Sequence, residues 1–387
     1  MRFHTHDVYF WHVSAGGVDP DVDPTPHWDD PDTKRRCARM MEHAGMLSDN
    51  GGPLLHDAGL PRPATREELQ RVHTAAYVDE VAATAGKWGA IGEEAYFGPR
   101  TFDIASRAAG ACIDALARVL RPDAASEERL SYVLCRPPGH HAMPGQAQGF
   151  CIFSNVAVAV AAALATGAAK RVAIVDVDVH HGNGTQRAFY GDPRVLFVSL
   201  HQSGCYPQPV EHATGRARHH GALEERGEGD GAGTTVNIPL PPGSGGGAYR
   251  CAWDRIVDPA LRRFGPCDAV VVSAGIDAGA FDPLARMGLT GNDFYDLGCR
   301  LRALAEELAG GRLLAVHEGG YSPMHTPYLC LRFIEGLLST PGQPFTNPAG
   351  VKDPFQAALD MAGPAANGLH PHQEEAVTEV ARTHGLA

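Results

Sequence analysis

Val172-Ala173-Ile174-Val175-Asp176-Val177-Asp178-Val179-His180-His181-Gly182-Asn183-Gly184 is the stretch that decides the fold. Its first four residues are apolar, and three of them are β-branched. A strand with no polar face can be buried only in a sheet covered on both sides. Acids and imidazoles come directly after it, and such groups are not hidden in a core without a partner. The strand therefore carries them to a rim.

Further apolar runs at 132–135, 195–200, 269–273 and 313–316 alternate with helix-like stretches near 156–165, 249–264 and 292–308. That alternation predicts an α/β fold, with a parallel sheet flanked by helices. Earlier in the chain, helices are expected near 34–44 and 102–120. Thr65-Arg66-Glu67-Glu68 is a capping box that should open a helix through about Val81. The other strands also end in polar segments: Pro137-Pro138-Gly139-His140-His141, His201, Gly275-Ile276-Asp277 and His317-Glu318-Gly319-Gly320-Tyr321. Ligand sites of open α/β sheets lie beyond the carboxyl ends of their strands. Five segments thus aim at one edge.

The 387 residues show one composition regime, read as a single domain over residues 1–363 with a weakly ordered tail at 364–387. Hydrophobic residues are 44% of the chain, enough for a large core. The net charge of −12 disfavours nucleic acid and mildly favours cationic substrates. No apolar run is long enough for a membrane span, and no signal peptide is visible. The nine cysteines are scattered without a CxxC pair, so a disulfide framework is not expected. These features point to the cytoplasm. Only four lysines (Lys34, Lys87, Lys170, Lys352) stand among abundant Arg, Ala and Gly, as in a GC-rich bacterial genome.

Asp178 and His180, two apart on extended chain, share a side and can share an ion. Taken alone, the pair fits an N-capping Asp beside a packed His equally well. Asp277, arriving at the same rim, makes a third ligand. Two carboxylates and one imidazole leave an open position on a zinc-like ion, as a catalytic site requires. Asp176, one alternation earlier, suits the carboxylate that orients His140. His140 and His141 come after a stiff Pro-Pro-Gly turn and can divide proton acceptance from proton return. Tyr321 stands after two glycines and can donate to a developing oxyanion. Gly149, Phe150 and Tyr206 are candidate walls of an apolar channel.

RPPGHHA at 136–142, QGFCIFSN at 148–155, VDVDVHHGNGTQ at 175–186, SLHQ at 199–202, SAGIDA at 273–278 and EGGY at 318–321 resemble the histone deacetylase family. They are most similar to its class II enzymes and to bacterial histone deacetylase-like amidohydrolases, from about residue 5 to 340. The resemblance implies an arginase/deacetylase-type three-layer fold with an eight-stranded, mainly parallel sheet. It also implies one zinc ion per chain at the base of a tunnel, and hydrolysis of acyl amides of lysine-like amines. It makes Asp178, His180 and Asp277 the zinc ligands, His141 the general base and Tyr321 the oxyanion donor. Asp176 stands behind His140. Asn183 stands behind His141, where class I enzymes have an Asp, and should leave that histidine less basic. Asp176, Asp178, His180, Ser199 and Leu200 resemble a structural potassium site, and Glu94 a rim acid that grips the substrate backbone. The loops at 9–28 and 211–233 depart from the family's common form and could reshape the rim or mediate homo-oligomer contacts.

Three readings stay open. The substrate is acyl-lysine in proteins or a small acylated amine such as an acetylpolyamine. A binuclear manganese ureohydrolase needs a second Asp two residues after the first, but Asp277 is succeeded by Ala278-Gly279-Ala280-Phe281. A catalytically dead acyl-amine binder would have little use for both histidines and Tyr321.

Overall fold

The computed structural model describes residues 1–13, 27–207, 210–211, 217–218, 220–361 and 367–386. Its centre is one eight-stranded sheet. In chain order the strands are β1 (Arg2–His4), β2 (Leu55–Asp57), β3 (Leu130–Val133), β4 (Val172–Asp176), β5 (Val195–Gln202), β6 (Thr235–Leu240), β7 (Ala269–Ala274) and β8 (Leu313–His317). They lie in the order β6-β5-β4-β7-β8-β3-β1-β2, and every pairing is parallel.

The central strands alternate between two cores. Val270 and Val272 of β7 enter one apolar cluster, Ala269 and Val271 the other. Ala173 and Val175 against Val172 and Ile174 repeat this on β4. Helices Thr101–Val119 and Asn155–Thr166 cover one face; Pro31–His43, Gly291–Ala309 and Thr326–Leu338 cover the other. Each fully buried Val, Leu or Ile contributes roughly 1.5–3 kcal/mol over an exposed one, and this two-sided burial favours the parallel sheet.

Three strands escape the sequence reading. β1 and β2 have three residues each, too few to show a period, and β6 holds Pro239, which an edge strand tolerates. The helix expected from Thr65 to Val81 is two. Its capping box forms, but Arg66–Leu69 ends at once and Thr74 caps a separate helix, Ala75–Ala82. The stretch near 249–264 stays helical through Pro259 by way of a π turn at Trp253–Val257. The tail expected to be weakly ordered instead contains helix Pro371–Thr383, which packs on β6 with Val377, Val380 and Ala381 buried. Its apolar period is short, and only the tertiary contact reveals it. Among the described residues no helix is long and apolar enough to cross a membrane. The loops at 9–28 and 211–233 lie partly outside the described residues, at 14–26, 212–216 and 219.

A small sheet prepares the site. Gly89–Glu93 pairs with Ala95–Phe97 and, in parallel, with Ala147–Gln148. The N–H groups of Gly149 and Phe150 then donate to the carbonyls of Glu93 and Glu94, each at 3.0 Å.

Candidate active site

The carboxyl ends of β3, β4, β7 and β8 deliver the site, as the strand-end rule predicts. Asp178, His180 and Asp277 meet there, all buried, with one ligand atom from each within 4.8 Å of the others. His180 Nδ1 is 3.1 Å from both Asp178 Oδ1 and Asp277 Oδ2. Backbone amides fix the acids: Gly319 N–H donates to Asp178 Oδ2 at 2.8 Å, and Val179 N–H to Asp277 Oδ1 at 2.8 Å. A Cβ at Gly275 or Gly319 would collide with these carboxylates, so only glycine lets the neighbouring strands approach. Burial, with Asp178 adding to it, pushes the Asp277 pKa up. Two buried acids this close call for a cation, and an O,O,N donor set with room on one side fits a zinc-like ion.

The two histidine rings lie tilted against each other with centroids 4.0 Å apart, yet their environments oppose each other. His140 Nδ1 lies 3.1 Å from Asp176 Oδ2. Burial alone would depress its pKa, but Asp178 and Asp176 outweigh burial and hold it up to about 10. His141 Nδ1 lies 2.8 Å from Asn183 Oδ1, a neutral acceptor. Burial, with the neighbouring rings of His140 and His180 adding to it, pushes His141 well below the ordinary imidazole range. The two environments therefore favour the proton on His140 and disfavour it on His141. Asn183 is itself held, its Nδ2 donating to Gln148 Oε1 at 2.8 Å.

Tyr321 is buried, 5.8 Å from Phe150 and 6.3 Å from His180 between ring centroids. Burial, Asp178 and Asp277 push its pKa well above the phenol range, so it stays a donor. A cleft of about 670 Å³ has His141, His180 and Tyr321 at its buried end and Gly149, Phe150 and Tyr206 along it. Glu94 and Trp28 stand at its exposed end. Among the described residues, Glu94 and Phe150 are the two non-glycine positions with positive φ, 51° and 65°. Such backbone costs roughly 1–3 kcal/mol each and gathers at functional sites.

Of the residues compared to a potassium site, Asp176 and Ser199 are in register on adjacent strands. Ser199 Oγ faces His201 Nδ1 at 3.0 Å, and Leu200 is buried. Asp282, the next acid after Asp277, accepts from the N–H groups of Leu284 and Tyr321 at 2.9 and 2.8 Å and so faces backbone amides.

Sequence reasoning assigned no role to Glu318, Asp282 or Lys34. Glu318 is buried, and burial pushes its pKa up to about 7. Its Oε2 accepts from Gly139 N–H at 2.6 Å and His140 N–H at 3.2 Å, so it holds the turn that carries both histidines. Its place directly after a strand is a signal that could have found it. Lys34 reaches the site from a helix 286 residues away in sequence, and no spacing foretells that.

The histone deacetylase domain matches residues 27–337 of the chain. The chain is 39% identical to the histone deacetylase-like amidohydrolase of Pseudomonas aeruginosa, over 99% of its own length and 96% of that protein's. It is 40% identical to a probable deacetylase of Archaeoglobus fulgidus, over 76% of each chain. The crystal structure of the HDA15 HD domain superposes with a TM-score of 0.75 at 31% identity, covering 98% of this chain and all of that one. The rim-facing eight-stranded parallel sheet, the clustered Asp178, His180 and Asp277, and these matches together place the chain in the histone deacetylase family, as a deacetylase-type hydrolase of amide bonds.

Proposed function

We propose that this protein removes acetyl, or other acyl, groups from the amine of acyl-lysine or a similar acylated amine. One observation carries the reading. A buried two-carboxylate, one-imidazole cluster lies at the buried end of a cleft that His141 and Tyr321 also line.

Asp178, His180 and Asp277 would hold one zinc ion, which when bound polarises the acyl carbonyl and makes a water more acidic. The rest falls to side chains. His141, kept neutral by burial and by the rings beside it, takes a proton from the attacking water. Its other nitrogen is committed to Asn183, which fixes the tautomer. Tyr321 donates to the oxyanion as the carbonyl carbon becomes tetrahedral. The C–N bond then breaks, and His141 returns its proton to the leaving amine. His140, paired with Asp176, stays charged and stabilises the negative transition state.

Phe150 and Tyr206, with Gly149 leaving the space between them, flank an aliphatic stem. Glu94 at the mouth accepts from the substrate's backbone or its free amine. Asp176, Asp178, His180, Ser199 and Leu200 would hold a potassium ion, which would brace the segment that carries the metal ligands. Nine thiols, none in a disulfide, suit the reducing cytoplasm.

The test is elemental analysis of purified protein, with turnover measured on an acetyl-lysine peptide, acetylputrescine and trifluoroacetyl-lysine. About one zinc per chain and hydrolysis of at least one substrate are expected, and the preferred one sets the substrate class. A zinc-loaded chain inert on all three, or full activity after exhaustive chelation, refutes the reading.

A further inference from the structure

The geometry points to Lys34 as a positioning residue for Tyr321: with Asp282 it pins the 320–321 peptide and lays a cation against the phenol. This rests on the role proposed above for Tyr321.

Lys34 is one of four lysines in the chain and is only 1% exposed. Burying an ammonium costs several kcal/mol unless partners replace its water. Here the partners are specific. Nζ donates to the Gly320 carbonyl at 3.1 Å, lies 3.6 Å from Asp29 Oδ1, and stands 4.9 Å from the centroid of the Tyr321 ring. Asp29 is shared, because Arg136 Nη2 donates to its Oδ2 at 2.8 Å and Nε to its Oδ1 at 3.2 Å. One carboxylate therefore faces two cations, Lys34 and Arg136.

The peptide between Gly320 and Tyr321 is held at both ends. Lys34 takes its carbonyl, and Asp282 Oδ2 accepts its N–H at 2.8 Å. That plane fixes where the Tyr321 side chain starts. Gly320 has φ +129°, which glycine adopts without strain and other residues rarely do, so the turn places Tyr321 where it stands only with glycine at 320. The cation also matters chemically. As the phenol donates to an oxyanion, electron density grows on its ring, and an ammonium at that distance stabilises the change. A buried alkyl chain would fill the space but do neither.

The experiment is a double-mutant cycle with Lys34→Met, Tyr321→Phe and the pair, reading kcat and KM on the substrate preferred by the parent. Tyr321→Phe should lower kcat by roughly 10²–10³, as loss of an oxyanion donor does. Lys34→Met should lower kcat at least tenfold with KM nearly unchanged, and should add nothing in the Tyr321→Phe background. Independent, multiplicative losses, or an unchanged kcat in folded Lys34→Met, overturn the proposal. If Lys34→Met does not fold, Lys34→Gln decides. It has a neutral amide in place of the ammonium, so a folded Lys34→Gln should lose kcat, and full kcat overturns the proposal. A second readout needs no turnover: with 3-fluorotyrosine at position 321, the fluorine resonance should move in the Lys34 variant, and an unmoved resonance counts against it. An inert parent enzyme would instead refute the reaction proposed above and leave the fluorine result to stand alone.

Discussion

Asn183→Asp tests the division of labour between the two histidines. In the parent, His141 Nδ1 faces a neutral amide oxygen at 2.8 Å, and burial with His140 and His180 keeps its pKa well below the ordinary value. The substitution puts a carboxylate at the same distance. An opposite charge this close raises a histidine by about 1–3 pKa units. A raised pKa means that His141 is protonated, and lost as a base, at higher pH. The acid limb of kcat/KM should therefore move up by about 1–3 units. Stability should fall as well. Asn183 Nδ2 now donates to Gln148 Oε1, and a carboxylate would leave that buried oxygen without its donor, at a cost of roughly 1–3 kcal/mol. The assay is a pH series of kcat/KM on an acyl-lysine reporter, with a thermal melt of each protein. A limb that coincides with the parent's would refute His141 as the titrating base.

Four further outcomes are expected. Gly149→Ala places a methyl 2.5 Å from His141 Cδ2 and 2.7 Å from Tyr206 Cε1, at φ +52°, so kcat/KM should drop roughly 10²-fold as the base is displaced, while circular dichroism stays native. Chelation should lower the Tm of the parent, because metal at about 100 times its Kd adds about 2.7 kcal/mol, and zinc should restore it. Asp277→Ala should abolish both responses, and a retained zinc response would remove Asp277 from the ligand set. Asp29→Ala takes away the buried carboxylate that Arg136 and Lys34 both face, and the denaturant midpoint should report a loss of about 3–5 kcal/mol.

By itself the sequence determined the sheet's centre and the identity of its rim. Fully apolar strands such as Val172–Asp176 are unambiguous, because neither face can meet water. Acids and imidazoles placed directly after such strands must share an edge, so Asp178, His180 and Asp277 could be grouped from their positions alone. The two short strands β1 and β2 and the proline-bearing β6 were not legible, since their place comes from neighbours rather than from their own pattern. The helix Pro371–Thr383 was missed for the same reason. Tertiary structure decided how strongly the groups of the site are perturbed. The sequence suggested Asp176 behind His140 and Asn183 behind His141, but the depth of burial and the closeness of Asp178 to His140 come from packing, and they drive the two adjacent rings apart. Only the fold could bring Lys34 and Asp282 to opposite ends of one peptide, because both contacts depend on packing between elements that no local spacing relates.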